Sequence, residues 1–181
     1  MKTLIATLFL SACILNGFSQ PRDKVAKTPA LNYDWSKGII NITELSGGIG
    51  LADTQSQYSK QYFGITNVTG YQFSRNIKAG VGVGLQVHNG GTLFPLYLDA
   101  RYSFSAQEIV PFIAGAGGLA LSFRDITNES RIFINPSVGV KWVAANKTAV
   151  SFSTGVIMMS GDYYRSSFVN FKLGIEFKGI K

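Results

Sequence analysis

The stretch VNFKLGIEFK, residues 169–178, alternates between apolar residues and residues that are polar or glycine. Its apolar members are Val169, Phe171, Leu173, Ile175 and Phe177. A repeat of two residues places them all on one side of an extended chain, whereas an amphipathic helix would repeat every 3.6 residues. The pattern therefore predicts a β-strand with one wholly apolar face near the end of the chain.

The same alternation returns along the chain and predicts eight strands, at residues 38–51, 58–73, 77–89, 92–104, 108–122, 131–143, 148–159 and 165–178. A tilted strand of about 12 residues crosses the apolar band of a bilayer, which is about 25 Å tall. The first two segments are less regular, since Asn67 and Thr69 fall on the apolar face. The fifth shows no clear face, and a bulge at Gly117 and Gly118 would switch its alternation.

The connections between these segments alternate in length. Residues 74–76, 105–107 and 144–147 form short polar turns, and residues 52–57, 124–130 and 160–164 form longer loops, with a short connection at 88–91. An even number of strands with short turns at one end and longer loops at the other is typical of an outer-membrane barrel. We therefore predict an all-β fold: an eight-stranded antiparallel transmembrane up-and-down β-barrel over residues 38–181.

The N-terminus has the features of a secretory signal peptide. Lys2 precedes an apolar run over residues 4–15, and small residues follow at Gly17 and Ser19. We predict a signal peptide over residues 1–19, cleavage between Ser19 and Gln20, and a periplasmic linker over residues 20–37. An alternative is lipoprotein processing at Cys13. Cys13 is the only cysteine of the chain, so neither form of processing leaves a disulfide within the protein.

Composition separates a membrane barrel from a soluble one. Only 15% of the residues are charged, against about 25% in ordinary soluble domains, and the basic residues are too dispersed for nucleic-acid binding. No later segment is apolar for the ~18 residues of a spanning helix, so only a closed barrel could enter a bilayer. A soluble eight-stranded barrel would carry more charge on its polar faces.

Aromatic residues also favour the membrane, because they fall near both ends of the strands, as in bilayer girdles. The set expected at the short-turn end is Tyr71, Phe73, Tyr102, Phe104, Trp142 and Phe177. The set expected at the long-loop end is Tyr58, Tyr62, Phe94, Tyr163, Tyr164 and Phe168.

The alternation assigns side chains to the two walls of the barrel. The polar residues predicted to face the lumen are Glu44, Lys78, Gln86, His88, Asp99, Arg101, Lys141, Lys172 and Glu176. The residues predicted to face lipid are Val81, Val83, Leu85, Leu96, Leu98, Val138, Val140, Phe171, Leu173 and Ile175. Three lumen acids against four bases favour a filled, ion-paired interior, with Glu44 expected to pair with Lys172, over a pore lined by one sign of charge.

Few residues offer chemistry. The glycines of AGVGVGLQVHNG, residues 79–90, do not match a dinucleotide-binding loop, because no helix pattern follows them. Catalysis by His88 would need a serine and a carboxylate, for which Ser160 and Asp162 are the candidates at the same end. No cluster has the spacing of metal ligands, and no cofactor is predicted.

Five pieces of the chain resemble the small eight-stranded outer-membrane proteins of Gram-negative bacteria, the outer membrane protein beta-barrel domain group. They are GYQFS at 70–74, AGVGVGL at 79–85, PFIAGAGG at 111–118, NPSVGVKW at 135–142 and LGIEFK at 173–178. The resemblance implies an outer-membrane location, a lipid environment and recognition of a terminal aromatic residue by the barrel assembly machinery. Phe177 matches that residue, although four residues follow it.

The expected function is structural, adhesive or interactive, in a monomer whose N-terminus lies in the periplasm. A small passive channel is the first alternative. The second is a lipid-modifying enzyme, since the position of His88 resembles that of the chemistry in barrels that acylate or deacylate lipid A.

Overall fold

The computed structural model describes residues 33–51, 58–104, 109–161 and 165–179. The predicted signal peptide, its cleavage site and residues 20–32 of the predicted linker lie outside the described residues. The strands are β1 (Gly38–Gly50), β2 (Gln61–Gln72), β3 (Ile77–His88), β4 (Gly91–Ser103), β5 (Ile109–Leu121), β6 (Arg131–Ala145), β7 (Thr148–Ser160) and β8 (Arg165–Lys178). A single-turn helix, α1 (Ile126–Glu129), lies in the connection between β5 and β6.

The strands form one closed antiparallel barrel in chain order, with β1 hydrogen-bonded to both β2 and β8. Each strand begins and ends within three residues of the predicted segment. Closure pairs the backbone groups of every strand with those of two neighbours, which is the requirement for crossing lipid without a helix. The predicted fold class, an eight-stranded antiparallel up-and-down barrel, is confirmed.

The two walls differ in chemistry as sharply as in exposure. Leu98 on the outer wall is 69% exposed, whereas Lys78 on the inner wall is 2% exposed. The ten residues predicted to face lipid lie on the outer wall, where nine are exposed and Val140 is half-buried. Soluble monomers rarely expose apolar residues on every strand of a barrel wall in this way, so the barrel is of the transmembrane kind.

No helix within the described ranges is long and apolar enough to cross a bilayer.

Strand β5 contains no bulge at Gly117 and Gly118, a possibility that its sequence left open. It pairs with β4 and with β6 without a break in register, and its even-numbered residues point inward throughout. Glycine and apolar residues occupy both faces of this strand, so its sequence alone carried no sign of the facing. The register shift that does occur lies between Val143 and Ala145, at the turn from β6 to β7.

The prediction of an aromatic girdle at the long-loop end was wrong for three of its residues. Tyr58, Tyr62 and Phe168 are at most 4% exposed and lie inside the barrel, and Tyr163 and Tyr164 lie outside the described residues. Phe94 does lie on the outer wall, against Phe123. The six aromatic residues predicted at the short-turn end are all exposed.

The glycines of β3 face inward for two local reasons. A Cβ atom on Gly82 would lie 2.2 Å from the ring of Tyr97, which crosses the lumen at this height. On Gly80 a Cβ would lie 2.7 Å from the Cα atom of Gly70 on β2. Glycine is tolerated here because a large neighbouring side chain, or a close backbone, already fills the space.

Candidate functional site

An ion-paired cluster fills the short-turn end of the lumen. Its centre is Glu176 on β8, whose carboxylate binds the ammonium group of Lys78 from β3 and lies 3.6 Å from that of Lys141 on β6. All three side chains are at most 5% exposed. Because charges removed from water are costly unless they are paired, the carboxylate is what allows two lysines to lie side by side here.

A floor segment, Tyr33 to Lys37, closes this end of the barrel. The Tyr33 hydroxyl donates a hydrogen bond to Glu176, and the ammonium groups of Lys78 and Lys141 lie 5.0–5.9 Å from the ring centroids of Tyr33 and Trp35. Cations over aromatic faces are attracted by the ring quadrupole. These residues belong to the stretch predicted as a linker, and nothing in their sequence signalled that they enter the barrel.

Hydrogen bonds tie the floor segment to two strands and to the β6–β7 turn. Lys178 on β8 donates to the backbone oxygen of Asp34 at 2.6 Å and lies 3.2 Å from the Asp34 carboxylate. Gln72 on β2 donates to the backbone oxygen of Trp35 at 2.8 Å, and the Asp34 amide donates to Asn146 beside β6. Hydrogen bonds from Ser36, and then the charge and hydrogen bond of Lys178, hold the pKa of Asp34 well below its usual range.

A second ion-paired group lies higher in the lumen and corrects one prediction. Glu44 was expected to pair with Lys172, but its carboxylate binds the Arg101 guanidinium of β4 at 3.0 Å. Arg101 also binds Asp99 at 2.7 Å. Lys172 lies opposite Ser46 in the β1–β8 register, and its ammonium group donates to Ser137 at 3.4 Å. The guanidinium presents several donors in one plane and can hold two carboxylates at once.

A polar chamber of about 20 Å³ lies between this group and the loop end. Its walls include Tyr62, Gln86, Asn135 and Asn170, each with a buried polar atom that has no hydrogen-bond partner among the described residues. A space of that size, with several polar atoms around it, fits about one water molecule. The chamber is therefore too small for an open path through the barrel.

Aromatic rings close the loop end around His88. Its ring stacks on Tyr62 at 5.2 Å between centroids and meets Tyr58 and Phe168 edge-on at 5.6 Å. Neither ring nitrogen makes a hydrogen bond of ordinary geometry within the described residues, although the backbone of Tyr58 lies close. His88 is 5% exposed, so it is part of a packed plug and not of an open rim.

Comparisons with known proteins agree with this geometry. The sequence matches no protein-family model and no curated protein. Among solved structures, Neisserial surface protein A (NspA) is similar with a TM-score of 0.64 and 11% identity, covering 80% of this chain and 99% of that one. The E. coli outer membrane protein W is more distant, with a TM-score of 0.49 and 14% identity, covering 78% of this chain and 98% of that one. The N-terminal β-barrel domain of Pseudomonas aeruginosa OprF has a TM-score of 0.47 and 14% identity, covering 78% of this chain and 100% of that one.

The fold is that of the small eight-stranded outer-membrane β-barrels.

All nine polar residues predicted for the lumen are buried inside the barrel: Glu44, Lys78, Gln86, His88, Asp99, Arg101, Lys141, Lys172 and Glu176. The prediction overlooked two further buried bases, Arg131 and Lys178. They lie at opposite ends of the barrel, each at the end of a strand. The alternation of apolar and polar residues stops there, so it no longer shows which side chains face the lumen.

The residues considered for catalysis do not form a group. Ser160 is exposed at the end of β7, paired with Arg165, while His88 is buried on β3. Asp162 lies outside the described residues. Within the part of the chain that the structure covers, no group of three or more His, Cys, Asp or Glu residues could hold a metal ion.

The loop end of the barrel is held by a small polar network. The Glu129 carboxylate at the end of α1 accepts hydrogen bonds from the hydroxyls of Ser122 and Tyr58, both at 2.8 Å. These hydrogen bonds hold the pKa of Glu129 below its usual value. The Arg131 guanidinium lies 5.0 Å from the centroid of the Tyr58 ring. The network joins the β5–β6 connection to the residues just before β2.

Proposed function

We propose that this outer-membrane barrel is a non-conducting membrane anchor whose loop end has a structural, adhesive or interaction role. The observation that carries the proposal is a lumen filled along its length. The floor segment and the Glu176 cluster fill one end, the Arg101 group the middle, and the rings around His88 the other end. A filled, rigid interior holds the loops in place and leaves no path for solutes.

The electrostatics of the lumen support this role over the channel alternative. Buried acids and bases alternate, so that Glu176 lies between two lysines and Arg101 between two carboxylates. Selective pores present rings of one sign to a water-filled path. The display of loops at a cell surface is also consistent with the name of NspA, which is called a surface protein.

The environment and partners follow from the two walls. Membrane lipids would surround the apolar outer wall, and the assembly machinery would read the exposed Phe177 near the end of β8. No basic surface suited to nucleic acid is proposed. We propose no catalytic role, since Ser160 and His88 lie on different walls of the barrel.

Planar-bilayer recording tests the proposal. The full chain, folded into lipid, should give a silent membrane over a range of voltages. A shift in gel mobility on boiling verifies that the inserted protein is folded. Reproducible single-channel steps from folded protein would overturn the filled-lumen role and restore the passive channel.

A further inference from the structure

The apolar outer wall has one polar interruption, formed by Asn41 and Thr43 on β1 and by Asn67 and Thr69 on β2. Asn41 lies opposite Thr69 and Thr43 lies opposite Asn67 in the β1–β2 register, so the four side chains form one outer patch. We call these four residues the β1–β2 patch. Elsewhere on the outer wall, polar residues of the described strands lie near strand ends, except for Thr154, whose hydroxyl donates to the backbone oxygen of Asn170 at 3.0 Å.

The β1–β2 patch is deep in the apolar band. Thr43 and Asn67 lie within one residue of the middle of their strands, and Asn41 and Thr69 lie two residues nearer the short-turn end. At about 2.5 Å of height per tilted residue, all four fall inside a band about 25 Å tall. Lipid tails at this depth offer no hydrogen-bonding group.

The internal hydrogen bonds of the β1–β2 patch use only part of its capacity. The two amides bind each other reciprocally at 2.9 Å, and their remaining N–H groups donate to the hydroxyls of Thr69 and Thr43 at 3.1 and 2.9 Å. Each hydroxyl therefore accepts a bond, and its own proton has no acceptor among the described residues. Each amide oxygen and each hydroxyl oxygen also keeps one free lone pair.

We propose that the β1–β2 patch is the centre of an interface with a second copy of this chain in the membrane. The remaining groups are two hydroxyl donors and four acceptor lone pairs, so a patch of this composition complements itself. Every copy inserts with the same orientation, and the patches of two neighbours therefore lie at one depth and can meet across a two-fold axis along the membrane normal. The patch carries no charge, so no electrostatic repulsion opposes the contact.

The surroundings of the β1–β2 patch suit such a contact. The outward residues above it are Leu45 and Ile65, and those below it are Ile39 and Tyr71, all exposed. A polar centre with an apolar border is the arrangement by which polar side chains join spanning segments in lipid, where apolar surface alone gives little drive. The interface replaces the monomer expected from the sequence, and it is independent of whether the lumen conducts.

Cross-linking in lipid vesicles tests the interface. In a Cys13→Ser background, a single thiol is introduced by Ile65→Cys beside the patch, or by Ile113→Cys on β5 as a control of matched exposure, 46% and 45%. The full chain is folded into phospholipid vesicles, diluted with lipid, and oxidised. We expect about tenfold more disulfide dimer from the Ile65→Cys protein than from the control.

Removal of the patch gives the second arm. Asn41→Leu with Asn67→Leu should lower the Ile65→Cys dimer by about tenfold, while Thr154→Val, which removes the other mid-wall hydroxyl, should leave it unchanged. Should the leucine variant fail the boiling-shift test for folding, Thr43→Val with Thr69→Val removes the free donors and should also reduce the dimer. Equal cross-linking at Ile65 and Ile113 would overturn the proposal. So would an unchanged amount of the Ile65→Cys dimer in a patch variant that folds.

Discussion

The two ends of this barrel are closed by different chemistry. At the short-turn end, Glu176 holds two lysines above a floor of Tyr33 and Trp35. At the loop end, Tyr62, His88 and Phe168 pack ring against ring with no charge pair between them. The first closure depends on one carboxylate, whereas the second depends on shape. The comparison shows that a narrow lumen can be closed by ion pairs or by packed side-chain volume. The first closure should be sensitive to loss of a counterion, and the second to loss of side-chain volume.

The largest effect is expected at the short-turn end. Glu176→Gln keeps the shape of the side chain but leaves Lys78 and Lys141 as buried charges with no counterion, which should cost about 3–5 kcal/mol of unfolding free energy. Urea titration of the folded protein in lipid measures it. Adding Lys78→Met to Glu176→Gln should recover a large part of the lost stability. A cost below about 1 kcal/mol for Glu176→Gln alone would show that the ion pairs of Glu176 do not stabilise this end.

The loop end should respond to lost volume. Phe168 is fully buried against Tyr62 and His88, so Phe168→Ala should cost about 3 kcal/mol through lost burial and the cavity that remains. The same urea titration applies. Phe168→Leu is the matched control and should retain more than half of that stability. If the alanine and leucine variants were equally stable, volume would not be what closes this end.

A smaller effect is expected at His88 itself. Its ring nitrogens gain no hydrogen bond of ordinary geometry within the described structure, so His88→Phe keeps the ring contacts and removes two buried polar atoms. We expect the unfolding free energy to stay constant or to rise by about 1 kcal/mol. A loss greater than 2 kcal/mol, a threshold near the cost of a buried hydrogen bond of about 1–3 kcal/mol, would indicate that the imidazole has a polar role in the plug.

The smallest effect is a pH dependence of the loop network. The pKa of Glu129 is lowered by hydrogen bonds from Ser122 and Tyr58, so its stabilisation is complete above its usual pKa of 4.5 and is lost as pH falls through the lowered value. The side chain is well solvated, and the change should stay below about 1 kcal/mol. Hydrogen-exchange protection around α1, corrected for the intrinsic slowing of amide exchange in acid, should decrease below pH 4.5, and Glu129→Gln should abolish that decrease.

Sequence reasoning was accurate wherever strands alternate without interruption. The eight strands, their direction and the lumen position of residues such as Asp99 and Lys141 all follow from a period of two. It was inaccurate where the pattern stops. Arg131 and Lys178 at the strand ends were overlooked, and Tyr58, Tyr62 and Phe168 were assigned to the lipid side because aromatic residues near strand ends suit both a girdle and a plug.

The sequence by itself determined a closed barrel with an apolar outer wall and a charged lumen, because side-chain facing in a strand depends only on local alternation. Which lumen charges meet was decided by tertiary structure. Arg101 reaches Glu44 across the barrel because the stagger of the closed sheet sets their relative heights, and Tyr33 enters the floor because the Glu176 cluster offers it an acceptor. Such contacts join residues far apart in the chain, so no local pattern can specify them.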